Sequence, residues 1–291
     1  MSDLKDNKLF KALKEKGSNL EAEMSFFDHL DILRKHLIRS AIAIVLFTSL
    51  AFYFFDFFYN TVIMGPSKTS FWTYRMLCEL GAYLHRPGLC IDKINIHLIN
   101  TEMAGQFTLQ INSSFMIGLA LGFPYLLYEV WLFIKPALHD KERKAASGFV
   151  FYASMLFLLG VLFGYFVITA MSLSFLAGYT VSDSIQNLFS IDSYISSVAT
   201  LTLATGAVFE LPILIYILST MGLLTAKIMR ESRRYAIIII LIVAAVVTPT
   251  PDMLTMTVVS IPLFLLFEAS IFVASAVDKR RKEKHDQLMA S

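Results

Sequence analysis

Charge is scarce in this chain. Asp, Glu, Lys and Arg make up 16% of its 291 residues, against about 25% in a soluble globular domain. The charges that are present cluster, and residues 103–128 and 145–182 hold none of these four types. With 56% apolar residues and a mean hydropathy of +0.62, the pattern excludes a soluble enzyme. It also excludes an outer-membrane barrel, whose strands would alternate apolar and polar residues. A net charge of +2 is too small to point to nucleic acid. Cysteine is nearly absent, with Cys78 and Cys90 the only two, and the six histidines are scattered. No paired-His zinc-protease signature, Gly-x-Ser-x-Gly elbow, phosphate loop, dinucleotide fingerprint or haem-attachment motif occurs. These absences argue against an enzyme, and neither a metal nor a cofactor is expected.

What is present is a set of apolar runs long enough to span a bilayer, which takes about 20 residues as a helix. Six stretches read as helices: 37–58, 107–134, 149–174, 198–221, 235–248 and 253–275. The expected fold is an all-α integral membrane protein with six transmembrane helices. Residues 1–24 read as a polar, basic tail, 25–276 as the membrane domain and 277–291 as a second basic tail.

Orientation follows from Lys and Arg, which favour the cytoplasmic side. With six passes, all but four of the 25 fall on one side; the exceptions are Lys68, Arg75, Arg86 and Lys93. Both termini are then cytoplasmic, and the protein is a multi-pass component of the inner membrane. Parity also decides the uncharged run 145–182, because two spans there would put the basic loops 135–144 and 227–234 on opposite faces. Between Arg234 and Lys279 the sequence Thr248-Pro249-Thr250-Pro251-Asp252 separates a short fifth pass from the sixth. Fourteen residues span only about 21 Å of a hydrocarbon core of about 30 Å.

Several residues call for a role. At the N-terminal entry, Ser25 and Asp28 have capping-box spacing. Phe26, Leu30, Leu33 and Leu37 form one apolar stripe, away from Asp28, Asp31 and Lys35. The segment reads as a helix lying in the interface before it turns into the first span; its acidic face either stays solvated or binds a cationic partner. Cys78 and Cys90 fall on the oxidising side, where they form a disulfide or remain two free thiols. Glu129, Glu210 and Glu268 sit within spans that hold no interior Lys or Arg. Each costs roughly 2.5–3.5 kcal/mol at the bilayer centre on insertion scales. Glu129 and Glu268 lie near the cytoplasmic ends, where Glu129 reaches the headgroups. Glu210 lies in mid-helix and must be protonated, hydrated or satisfied by a partner; a neutral acid hydrogen-bonded inside the bundle is the structural alternative.

Taken in order, these residues resemble a family. Phe27-Asp28-His29-Leu30 with Leu33-Arg34 is similar to the N-terminal signature of TatC, the polytopic core of the twin-arginine protein translocase. The run from Pro124 to Leu138, through Tyr128-Glu129-Val130-Trp131 and Phe133, resembles the end of its second helix. Glu142-Arg143 resembles its first cytoplasmic loop. Gly206, Phe209-Glu210 and Pro212 resemble its fourth helix; Thr248-Pro249, Pro251-Asp252 and Pro262 resemble its last turn and helix. The likeness covers about residues 25–276.

The resemblance implies a cupped, glove-like bundle with short fifth and sixth helices. It implies recognition of signal peptides with paired arginines, assembly with small single-span subunits of the TatA or TatB type in an oligomeric complex, and transport of folded proteins driven by the proton-motive force, with no cofactor. Glu142 matches the acid of the family's peptide site, flanked by Arg143. Ile32 stands where the family carries a Glu, so Asp31 and Asp28, with Arg34 beside them, are the candidate N-terminal members. Glu129, Phe133, Glu210, Pro212 and Asp252 are the candidates for partner binding or transport. The competing reading is a proton- or ion-coupled small-molecule transporter working through Glu210 and Glu268.

Overall fold

The computed structural model describes residues 26–85, 90, 96–135, 148–182, 187–247 and 253–290. Helix α1 runs unbroken from Phe26 to Tyr53. The sequence reading expected an interfacial helix that turns into the first span. The two are one helix, because no Gly or Pro interrupts residues 26–53 and nothing else there breaks the ladder. After it come α2 (Phe55–Phe58), a π-helical turn (Tyr59–Ile63), α3 (Trp72–Tyr83), β1 (His97–Ile99) and α4 (Gly105–Ile134). The uncharged run 145–182 forms one continuous 30-residue helical span, Phe149–Gly178, made of α5 (Phe149–Phe163), a π-helical stretch (Gly164–Thr169) and α6 (Ala170–Gly178). Then follow β2 (Leu188–Ser190), α7 (Ile191–Phe209), α8 (Leu211–Thr220), α9 (Ala226–Glu231), α10 (Arg233–Val247) and α11 (Met253–Ala290).

Local signals account for several boundaries. Ser190 caps α7 by accepting from the Ser193 N–H at 3.2 Å, and Asp192 in the first turn suits the helix dipole. Helix α8 ends in a Schellman turn: the Leu223 N–H reaches the Leu218 carbonyl at 3.0 Å, and Gly222 adopts φ 78°. Pro124 and Pro262 sit inside α4 and α11 without ending them.

Among the described residues, five helical stretches are long and apolar enough to cross a membrane: Leu30–Tyr53, Gly105–Ile134, Phe149–Gly178, Ile191–Thr220 and Thr255–Lys279. Helix α10, the expected fifth pass, has 15 residues and extends about 22 Å. Ile168, Leu201, Ala244, Val259 and Leu263 form one buried cluster that ties α10 to α11, α7 and the π-helical stretch.

In lipid, helices associate by close packing more than by a hydrophobic drive, so small residues sit at crossings. A Cβ on Gly118 of α4 would lie 2.6 Å from the Thr48 Cα of α1. A Cβ on Gly160 of α5 would lie 2.7 Å from the Phe209 Cβ of α7. Position 48 faces 118, 44 faces 122 and 36 faces 129, so α1 and α4 are antiparallel.

One end of the bundle is closed by a cap that hydropathy did not show. Strands β1 and β2 pair in parallel, with His97 opposite Leu188 and Ile99 opposite Ser190. The Tyr74 hydroxyl donates to the Pro66 and Ala170 carbonyls at 2.8 and 3.1 Å, and Tyr194 donates to the Ile63 carbonyl at 2.7 Å. Burial pushes the Tyr74 phenol well above its ordinary pKa, so it stays protonated and keeps donating. Cys78 and Cys90 are disulfide-bonded across 12 positions, tying α3 to the segment that follows it.

Candidate functional site

At the end of the bundle opposite the cap, the start of α1 meets the end of α4. Glu129 is 2% exposed. Its Oε2 lies 2.6 Å from His36 Nδ1 on α1, and its Oε1 accepts from the Tyr125 hydroxyl at 2.7 Å. The reading of Glu129 as a carboxylate that reaches the headgroups is therefore corrected. The antiparallel crossing places His36 at its depth, and Tyr125 stands one helical turn before it. His36 and Tyr125 were not among the expected site residues. The i,i+4 spacing of Tyr125 and Glu129 was a visible signal; the match to His36 needed the helix register. The Phe133 ring meets the His36 ring edge-on, with centroids 6.4 Å apart.

From this junction α1 carries its polar residues outward. Asp31 and Lys35 are exposed and form an i,i+4 pair at 3.8 Å, a geometry of small stabilising value. Arg34 is exposed beside them, and Asp28 sits in the first turn of α1. The expected members Glu142, Arg143 and Asp252 lie outside the described residues, as does the capping residue Ser25.

Glu210 lies inside the 30-residue stretch Ile191–Thr220, but not within an unbroken helix as expected. It stands at a break between α7 and α8. Pro212, in the first turn of α8, has no N–H to give to the Val208 carbonyl, and its ring crowds that turn. Both carboxylate oxygens of Glu210 are buried, and neither has a hydrogen-bond partner among the described residues. Pro212 is itself buried.

Glu268 is held by Arg233, whose Nη2 lies 2.7 Å from its Oε2. No basic residue lies in the interior of its own span, yet the start of α10 supplies one from the neighbouring helix. Close by, α9 docks on the same stretch of α11: the Ala226 N–H donates to Asp278 Oδ2 at 2.8 Å, and Ala226, Met229, Ile271 and Ala274 pack together. Among the described residues, Glu129 and Glu268 thus have partners and Glu210 has none.

The comparisons with known proteins agree with this architecture. The family model described as Sec-independent protein translocase protein (TatC) matches residues 28–262. A Sec-independent protein translocase protein TatC from Blattabacterium sp. subsp. Periplaneta americana is 36% identical over 265 residues, covering 90% of this chain and 99% of the relative. One from Deinococcus radiodurans is 32% identical over 253 residues, covering 87% and 86%. A crystal structure of the twin-arginine translocase receptor TatC in DDM superposes with a TM-score of 0.65 at 31% identity, covering 85% of this chain and 99% of that one. With most of its length matched in sequence and in fold, this chain belongs to the TatC family, the membrane components of the Sec-independent protein translocase.

Proposed function

We propose that the protein is the receptor subunit of its translocase, binding signal peptides with paired arginines at an acidic site made of Asp28, Asp31 and Glu142, with Arg34 and Arg143 alongside. One observation carries this reading. The His36–Glu129 contact holds the start of α1 against the end of α4. The start of α1, with Asp28, Asp31 and Arg34, and the end of α4, which Glu142 and Arg143 follow in sequence, therefore lie at the same end of the bundle. Guanidinium groups present forked donors that carboxylates accept in pairs, and an interfacial site lowers the effective dielectric in which they meet.

In the same reading the chain makes six passes through the inner membrane with both termini cytoplasmic, α10 being the short fifth pass. It assembles with single-span subunits of the TatA or TatB type in an oligomeric complex and transports folded proteins on the proton-motive force. Residues 1–24 and 277–291 are its cytoplasmic tails. Glu210, beside Pro212, supplies a buried polar anchor that an incoming helix completes. Glu129 and Phe133 brace the receptor end, and Asp252, which directly precedes α11 in sequence, is a further candidate for partner contact.

The test is photocrosslinking of a twin-arginine signal peptide to the full chain in membranes, beside a twin-lysine version. Strong crosslinking of the first, weak crosslinking of the second and loss of both in Glu142→Lys, with the variant still inserted, support the site. Undiminished crosslinking of Glu142→Lys overturns it.

A further inference from the structure

Helix α3 presents three faces. Thr73, Tyr74 and Gly81 are buried. Trp72, Met76, Leu80 and Tyr83, at i, i+4, i+8 and i+11, form an exposed apolar stripe. Arg75 and Glu79 are exposed along one border of that stripe. An exposed surface divided in this way suits a boundary between lipid and water.

Contacts with a neighbouring span fix the level of the stripe at its first residue. The Thr73 hydroxyl donates to the Phe166 carbonyl, and the Tyr74 hydroxyl donates to the Ala170 carbonyl at 3.1 Å. The Trp72 ring meets the Phe166 ring edge-on, with centroids 5.8 Å apart. Phe166 belongs to the 30-residue span Phe149–Gly178, whose length of about 45 Å exceeds the hydrocarbon core of about 30 Å by about 15 Å. Phe166 stands 12 residues before the cap-side end at Gly178, about 18 Å along the helix. Even with the whole excess placed on the cap side, Phe166 lies inside the hydrocarbon core, and tilting the span only reduces the excess. Trp72 beside it is 54% exposed. Its open face is therefore at a depth where lipid, not water, is the solvent.

We propose that α3 seats the cap in the lipid leaflet on its side, with the stripe among the acyl chains and Arg75 and Glu79 turned to the head groups. Trp72 and Tyr83, at the two ends of the stripe, are of the types that favour the membrane–water boundary. The Arg75 stem can run along apolar surface while its guanidinium reaches a phosphate. The proposal does not rest on the peptide-binding reading.

The experiment reads tryptophan fluorescence of the full chain in vesicles of phosphatidylglycerol and phosphatidylethanolamine, with and without phosphatidylcholine brominated on its acyl chains. The chain has two tryptophans. Trp131 is buried and stacks on Phe149 near the opposite end of the bundle, so Trp72→Phe supplies the background. In Trp131→Phe, brominated lipid should quench Trp72 about twofold or more while iodide in the water leaves it nearly unchanged, because an interfacial helix sits about 5–10 Å into the boundary of head groups and acyl chains. Should Trp131→Phe fail to fold, the difference between the unmodified chain and Trp72→Phe decides instead. Adding Tyr83→Trp to Trp72→Phe moves the probe to the other end of the stripe and should restore the quenching by brominated lipid. Quenching of Trp72 by iodide and not by brominated lipid places the stripe in water, and protection from both places it against a second copy of the chain; either result overturns the proposal.

Discussion

Nδ1 of His36 lies 2.6 Å from Oε2 of Glu129, joining residues 93 positions apart where α1 and α4 cross. His36 Nδ1 and the Tyr125 hydroxyl together engage both oxygens of a carboxylate that would be costly in this position alone. The contact is structural in kind, and it sets where the polar segments at that end of the bundle emerge.

Removing one member of this junction should cost far more than removing both. His36→Leu leaves a buried acid short of a partner and should destabilise the chain by about 3–5 kcal/mol, while His36→Leu with Glu129→Leu should recover much of that. Thermal unfolding of the single and double variants in detergent checks the cycle. A double-variant loss equal to the sum of the His36→Leu and Glu129→Leu losses would mean that the pair contributes nothing as a pair.

Glu210 should behave in the opposite way. Its carboxylate oxygens have no hydrogen-bond partner among the described residues to lose, so Glu210→Ala should leave thermal stability unchanged or higher. Export of a folded twin-arginine substrate should fail in Glu210→Ala and largely persist in Glu210→Gln, which keeps a hydrogen-bonding group. Signal-peptide crosslinking should be retained in both. Full export by the Ala variant refutes a role in transport, and disappearance of that variant from the membrane assigns the residue to folding.

The helix crossings give a stability prediction with an internal control. A Cβ at position 118 meets the Thr48 backbone, whereas one at Gly178 meets nothing within 4 Å. Gly118→Ala should lower stability by about 1–3 kcal/mol as α1 is pushed from α4, and Gly178→Ala should stay within about 0.5 kcal/mol of the parent. Melting of the two variants side by side reads the difference.

The disulfide closes a loop of 12 positions. Replacing Cys78 and Cys90 with Ser together should cost about 3 kcal/mol in the chain-entropy model. The parent should resist alkylation until reductant is added and should then melt at a lower temperature. Thiols that alkylate freely in unreduced membranes would contradict the bond.

How much of this was legible in the sequence depended on how local the cause was. A span is written in consecutive residues, because the bilayer asks only for enough apolar side chains in a row. The long apolar helices and the all-α membrane fold followed from that alone, and the single continuous helix Phe149–Gly178 followed from the charge parity of the flanking loops. The two cysteines followed from being the only two on one side. Contacts between helices were another matter, because they depend on register. His36 sits beside Glu129, and Arg233 beside Glu268, only because antiparallel neighbours bring those positions to one depth. The parallel pairing of His97–Ile99 with Leu188–Ser190 unites two three-residue strands too short to carry a periodic signal. Pro212 was visible in the sequence, yet helices pass through Pro124 and Pro262 unbroken, so proline alone did not place the break at Glu210. Sequence determined which segments are long and apolar enough to span a membrane; packing decided that His36 and Arg233 reach Glu129 and Glu268, while the Glu210 carboxylate meets no hydrogen-bond partner among the described residues.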